Sequence, residues 1–162
     1  MKNYFTEDDE KLKWITGDTK TLLKTIVCDV TSQHNTAQNG IEGDYIIMDA
    51  PDWVIVIPEK NEKPEIAAIR ELQEETGFIA EKLTKLGMAN PNPALFSNHV
   101  HVYLAENLKS TGIQHLDQDE FINYIEIPKE EVLKGMGTNE FPHALMSTAL
   151  CFYLKYKIKI GI

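Results

Sequence analysis

The chain has 162 residues, with 25 Asp and Glu against 16 Lys and Arg, for a formal net charge of −9. Such a length suits one domain that buries a core without disulfide or metal staples, and 43% hydrophobic with 25% charged residues excludes disordered and fibrous classes. The acidic balance lacks the basic footprint of a nucleic-acid binder, so a polyanionic small ligand would need divalent cations held by carboxylates to screen the repulsion.

The first ten residues, Met1 to Glu10, are acidic and contain no apolar h-region, so they do not read as a signal peptide. No apolar run approaches the roughly 18 residues of a membrane span. A cytoplasmic protein with no membrane partner is expected. Cys28 and Cys151 are far apart and form no C-x-x-C pair. They are expected to be free buried thiols rather than a zinc or redox site. Thr21 to Ser32 is rich in Val, Ile and Thr and predicts a strand. Gln33 to Gly43 carries Asn35, Asn39, Gly40 and Gly43 and predicts a turn region. Asp44 to Met48 and Trp53 to Ile57 predict two further strands.

Pro64 to Thr76 carries the clearest helix signals. Pro64 suits the first turn, Glu65 complements the N-terminal dipole, and Gly77 suits the C′ position. Asn90 to Asn98 is a Pro/Asn loop, and His99 to Ala105 alternates as a strand does. Ser110 to Glu120 predicts a polar loop, Phe121 to Ile127 a strand, and Lys129 to Lys134 a short helix. Asn139 to Tyr156 predicts a C-terminal helix, with Ala144, Leu145, Thr148, Phe152 and Lys155 near the helical period. Strands interleaved with helices give an α/β domain spanning residues 1–162.

The chemistry is concentrated in Glu62 to Phe78. On a helix, Ile66, Ile69 and Leu72 form one stripe, and Glu71, Glu74 and Glu75 gather on the opposite side. Glu71 and Glu75 are like charges at i, i+4, which costs a few tenths of a kcal/mol. Three carboxylates so placed offer the oxygen ligands that hard cations prefer. Arg70 stands four residues before Glu74 and can pair with it. By charge count alone, a solvated acidic helix face is the favoured reading of this run, since charge runs on helices usually face solvent.

The order of residues narrows the choice. Arg70-Glu71-Leu72-Gln73-Glu74-Glu75-Thr76-Gly77-Phe78 resembles the second half of the Nudix hydrolase box. That box reads Gly, five residues, Glu, seven residues, then Arg-Glu-apolar-any-Glu-Glu-any-Gly-apolar. Glu62 stands where the first Glu belongs. Asp44-Tyr45, Asp52 to Pro58 and Asn92 to Ala105 are similar to the flanks of ADP-ribose pyrophosphatase-like members.

The resemblance implies the Nudix fold, a mixed β-sheet sandwiched between α-helices with N-terminal antiparallel strands. It implies hydrolysis of a nucleoside diphosphate linked to another moiety, such as ADP-ribose or a nucleotide sugar, with Mg²⁺ or Mn²⁺. It makes Glu71, Glu74, Glu75 and Glu62 the metal-site glutamates and Arg70 the orienting arginine. It places a catalytic base in the acidic stretch His115 to Glu120, with Glu120 the first choice and Asp119 the second. By analogy, residues 1–50 would serve in a homodimer. His99 and His101 share a strand face and are expected to be satisfied or exposed rather than metal-bound. Trp14 and Trp53 could stack on a base or a partner subunit, with buried packing the default. His143 shows no evident partner.

One departure is plain. Val56 occupies the box glycine's position, and the hairpin that precedes the glycine-rich turn in relatives is missing. This predicts a break in the chain between Ile57 and Glu59. If the chain is instead continuous there, the turn has been lost, and a catalytically weakened Nudix-fold nucleotide-binding or interaction protein becomes the alternative.

Overall fold

A computed structural model describes residues 13–54, 63–116 and 122–161. The chain divides into two compact units, Met1–Pro51 with Asn92–Asn98, and Asp52–Pro91 with His99–Ile162. The first unit is an antiparallel meander of β1 (Trp14–Lys24), β2 (Asp29–Ala37) and β3 (Glu42–Asp49). The predicted strand from Thr21 to Ser32 is interrupted by a tight turn. The Thr25 hydroxyl donates to the Cys28 carbonyl at 2.7 Å and accepts from the Cys28 amide at 3.0 Å, so Ile26 and Val27 project into solvent despite their β-branched side chains. The predicted turn region from Gln33 to Gly43 is mostly strand. Pairing with β3 carries β2 through to Thr36, and pairing with β1 to Ala37, because cross-strand partners such as His34 and Asp44 offset a weak local β-propensity. The turn itself is confined to Gln38–Ile41, where Gly40 adopts φ 82° and Asn39 Oδ1 accepts the Ile41 amide. Residues 92–98 cap the unit: Met48 donates its amide to Leu95 O at 2.7 Å, and Ser97 Oγ reaches Asp49 Oδ1 at 2.5 Å.

The second unit is built on a mixed sheet in the order β4 (Trp53–Val54), β6 (Val100–Ser110), β5 (Phe78–Ala89). β4 runs parallel to β6 and β5 antiparallel to it. The long strand β5 gives no clear sequence signal, and a bulge between Lys85 and Gly87 breaks its alternation. The bulge also reverses the facing of side chains. Leu83 pairs with Ala105 but Gly87 pairs with Val102, so Leu83 and Gly87 face opposite sides of the sheet. On Leu83's side lies α1 (Pro64–Thr76), with Ala67 and Ala68 packed against Leu83 and Tyr103. On Gly87's side lies α3 (Ala144–Lys159), whose Phe152 ring stands 3.1 Å from where a Cβ on Gly87 would sit. The sheet is therefore sandwiched between helices, as the α/β reading expects.

Two further boundaries move. Residues 122–128 form no strand; Tyr124 instead sets its ring edge-on to Phe78, with centroids 5.6 Å apart. After the short helix α2 (Lys129–Gly135), α3 starts at Ala144 rather than Asn139. Pro142 and the capping residue His143, whose Nδ1 accepts the Leu145 amide at 3.2 Å, fix that start. His143 thus has a partner. Cys28 is buried and Cys151 exposed, both as free thiols. No helix among the described residues is long and apolar enough to cross a membrane.

Candidate active site

The helix α1 begins with Pro64 at its first position and ends at Gly77, which adopts φ 68° and donates its amide to Gln73 O. The face it buries is not its most apolar one. Ile66 and Ile69 are 54% and 48% exposed, whereas Ala67 and Ala68 are 0% and 3% exposed and Glu71 is 6% exposed. Ala67, Glu71, Glu74 and Glu75 stand at i, i+4, i+7 and i+8, so the carboxylates share the packed stripe of the helix. The alanines allow the helix to sit close to Leu83 and Tyr103, and that closeness draws Glu71 in with them. A stripe of isoleucines at that contact would hold the helix further from the sheet.

A buried carboxylate is costly unless paired. Arg70 supplies the pairing. Its Nη2 donates to Glu71 Oε1 at 2.7 Å and its Nη1 to Glu74 Oε2 at 2.5 Å, so one guanidinium bridges two carboxylates. The bond to Glu74 is the one its i, i+4 spacing anticipates. The bond to the adjacent Glu71 is additional, and it arises because both side chains are partly withdrawn from water. Burial pushes the Glu71 carboxyl above its ordinary range; Arg70 pulls it back, and Glu75 and Glu74 push it up again. The group therefore favours additional positive charge nearby. An oxygen-only donor set on one helix face fits a hard divalent cation in kind. Among the described residues, no three His, Cys, Asp or Glu side chains converge on one point. Glu62, Asp119 and Glu120 lie outside the described residues, as does the window from Ile57 to Glu59.

The C-terminal end of α1 is held by a segment that sequence reasoning passed over. Thr111 donates its amide and its hydroxyl to Gly77 O, at 2.7 and 2.8 Å. His115 donates its amide to Glu74 O at 2.9 Å, and the Gln114 side-chain amide donates to Glu75 O. A Cβ on Gly77 would meet Ile113 O at 2.7 Å, so this close approach as well as the positive φ requires glycine there. This segment opens the stretch His115 to Glu120 that was named for the base, of which residues 117–120 lie outside the described residues. The sequence signal that could have found it is the short polar run itself, Ser110-Thr111-Gly112, placed where a strand ends.

A second cluster joins β4 to β6. Asp52 Oδ1 accepts the His99 amide at 2.7 Å, and Asp52 Oδ2 lies 3.0 Å from His101 Nε2. His101 is 6% exposed. Burial raises the Asp52 carboxyl, but the His101 hydrogen bond, the His99 amide and the charge of both rings bring it below its ordinary value. These histidines are structural partners of one aspartate. Trp14 is not buried: it is 44% exposed and stands edge-on to Tyr45, with centroids 5.5 Å apart.

Comparison with known proteins places this geometry. Residues 57–146 match the NUDIX domain family. The chain is 41% identical over 100 residues to the ADP-ribose pyrophosphatase of Bacillus subtilis (strain 168), covering 61% of this chain and 54% of that protein. It is 38% identical over 77 residues to the methanol dehydrogenase activator of Bacillus methanolicus, covering 47% of this chain and 42% of that protein. The chain thus spans about half the length of the curated relatives it matches. A crystal structure of an ADP compounds hydrolase superposes with a TM-score of 0.73 at 20% identity, covering 92% of this chain and 96% of that one, which shows a shared fold. The family match takes in α1, the segment that holds its end and the acidic stretch beyond it, and the chain belongs to the Nudix family.

Proposed function

We propose that the protein is a metal-dependent Nudix pyrophosphohydrolase that cleaves the pyrophosphate of a nucleoside diphosphate linked to another moiety, such as ADP-ribose or a nucleotide sugar. The observation that carries this reading is the Arg70 guanidinium bridging Glu71 and Glu74 on the packed face of α1. A merely solvated acidic face would have no reason to bury Glu71. The similarity to the ADP-ribose pyrophosphatase of Bacillus subtilis supports the choice of substrate class.

In this reading Glu71, Glu74, Glu75 and Glu62 hold Mg²⁺ or Mn²⁺. The cation, when bound, neutralises the pyrophosphate and lowers the pKa of a water. Arg70 fixes two of the carboxylates so that they need not reorganise during the reaction. Glu120, or failing it Asp119, accepts the proton of the attacking water. The water oxygen bonds to phosphorus as the bridging P–O bond breaks, giving a nucleoside monophosphate and a phosphorylated second product. We place the protein in the cytoplasm, with no nucleic-acid or membrane partner. The exposed apolar residues of β1, among them Trp14, Ile15, Leu22 and Leu23, support a homodimer formed through residues 1–50.

A second reading is a catalytically weakened Nudix-fold interaction protein. Val56 in place of the box glycine favours it, as does the similarity to a methanol dehydrogenase activator. A panel of nucleotide sugars separates the two: Mg²⁺-dependent release of monophosphate supports the enzyme, and no release from any member supports the binder.

A further inference from the structure

We infer that Gln114 is a positioning residue for the carboxylates on the last turn of α1. An α-helix ends with carbonyls that have no intrahelical donor. In most helices a cap glycine and water serve them. Here Gly77 serves Gln73 O, and a segment distant in sequence serves the next positions: His115 by its backbone amide to Glu74 O, Gln114 by its side chain to Glu75 O. The Gln114 bond spans 39 residues of sequence and, unlike that of His115, is made by a side chain. It can therefore be removed without altering the backbone path.

The two residues whose carbonyls are held this way, Glu74 and Glu75, are two of the residues that the proposed function assigns to the cation. This inference rests on that assignment. Helix side chains lean toward the N-terminus, so a properly wound last turn directs Glu74 and Glu75 back toward Arg70 and Glu71. Last turns fray readily. A frayed turn would rotate Glu75 first and release Glu74 from the Arg70 fork. The Gln114 amide fixes the peptide that follows Glu75, and with it the direction of the Glu75 side chain. The bond thereby acts on cation affinity through the helix backbone, without Gln114 touching the ion. It joins in one unit the ligands on α1 and the chain that runs on to the acidic stretch.

The test uses the full-length, metal-free protein and two variants. Gln114→Met keeps the side-chain length and loses the donor; Gln114→Ala loses both. Mn²⁺ affinity is measured by calorimetric titration, and amide hydrogen exchange is measured at Gly77 and His115 before any metal is added. In both variants the two amides exchange faster, and Mn²⁺ affinity falls about tenfold, the scale of removing a partner that orients a metal ligand. At saturating Mn²⁺ the KM for ADP-ribose returns to the wild-type value. Unchanged Mn²⁺ affinity with faster exchange overturns the inference, because the turn has then loosened without consequence for the ligands. Loss of affinity in Gln114→Ala but not in Gln114→Met also overturns it, since shape and not the donor would then matter. A wild-type chain that binds Mn²⁺ normally yet hydrolyses nothing overturns the enzymatic reading and leaves the affinity comparison decisive. A wild-type chain that binds no Mn²⁺ at millimolar concentration overturns the metal assignment and this inference together.

Discussion

Both units of the chain leave large apolar residues in solvent, and they differ in what they bury. In the unit built on β4, β6 and β5, the tightest contact is made by small residues, Ala67 and Ala68, against Leu83 and Tyr103, and a charged residue, Glu71, is buried beside them. In the meander of β1, β2 and β3, the larger apolar residues Ile15, Leu22, Leu23 and Ile46 stand in solvent, and Thr31 is buried in their place. The first arrangement sacrifices apolar burial to bring carboxylates into the packed face of a helix. The second leaves apolar surface uncovered. The difference teaches that hydrophobicity alone does not locate the working part of this molecule.

Substitutions can break that comparison. The largest effect is expected in the acidic stretch after the segment that holds α1. Glu120→Gln should lower turnover by orders of magnitude, with Mn²⁺ affinity little changed. Retained activity there, with loss in Asp119→Asn, would move the base one residue earlier.

Next in size is Gly77→Ala. A left-handed conformation costs a non-glycine residue about 1–3 kcal/mol, and the added Cβ also meets a backbone oxygen at 2.7 Å. Denaturant unfolding should show a loss at or above the top of that range. A loss below about 1 kcal/mol would mean that the contact with Ile113 relaxes freely.

Asp52→Ala should cost about 2 kcal/mol, since it removes two hydrogen bonds and leaves a buried histidine without its Nε2 partner. Its pH dependence has a definite sign. The folded-state carboxyl lies below its ordinary value of about 3.9. Its contribution is present above that value and is lost as the pH falls through the lower, folded-state value. Wild type and Asp52→Ala should thus converge in stability under strong acid and differ at neutral pH. A gap that widens as the pH falls into the acid range would contradict the assignment.

The smallest effect is expected in the meander. Leu22→Ser with Leu23→Ser should change the stability of the monomer by within about 0.5 kcal/mol. The same pair should weaken self-association, read by sedimentation. A large loss of monomer stability would show that β1 is covered within the chain, and would end the contrast between the units.

How much of this was legible in the sequence depends on how local the cause is. The helix from Pro64 to Thr76 was readable to the residue, because a proline at its start and a glycine past its end act within one turn. The pairing of Arg70 with Glu74 was readable for the same reason. The face the helix buries was not legible. Ile66, Ile69 and Leu72 form the more apolar stripe, but close approach to the sheet selects alanines, and that selection is tertiary. Strand β5 was missed because Glu81, Lys82 and Lys85 hide its pattern; Lys82 is paired with Glu106 and Lys85 lies over the Tyr103 ring at 5.9 Å. The turn at Ile26 and Val27 was missed because their β-branched side chains argue for a strand, while a single threonine hydroxyl closes the turn. The tie from Gln114 to Glu75, and that from Asp52 to His101, span 39 and 49 residues, and no local pattern announces them.

Under the proposed function, the carboxylates on the packed face of α1 would hold the cation for pyrophosphate hydrolysis. The most direct measurement is Mg²⁺-dependent release of AMP from ADP-ribose by the wild-type chain and by Glu75→Gln, with the thermal unfolding of both followed in parallel. Release by the wild type is expected, with its loss by orders of magnitude in Glu75→Gln and nearly identical unfolding curves. Full activity in Glu75→Gln would contradict it.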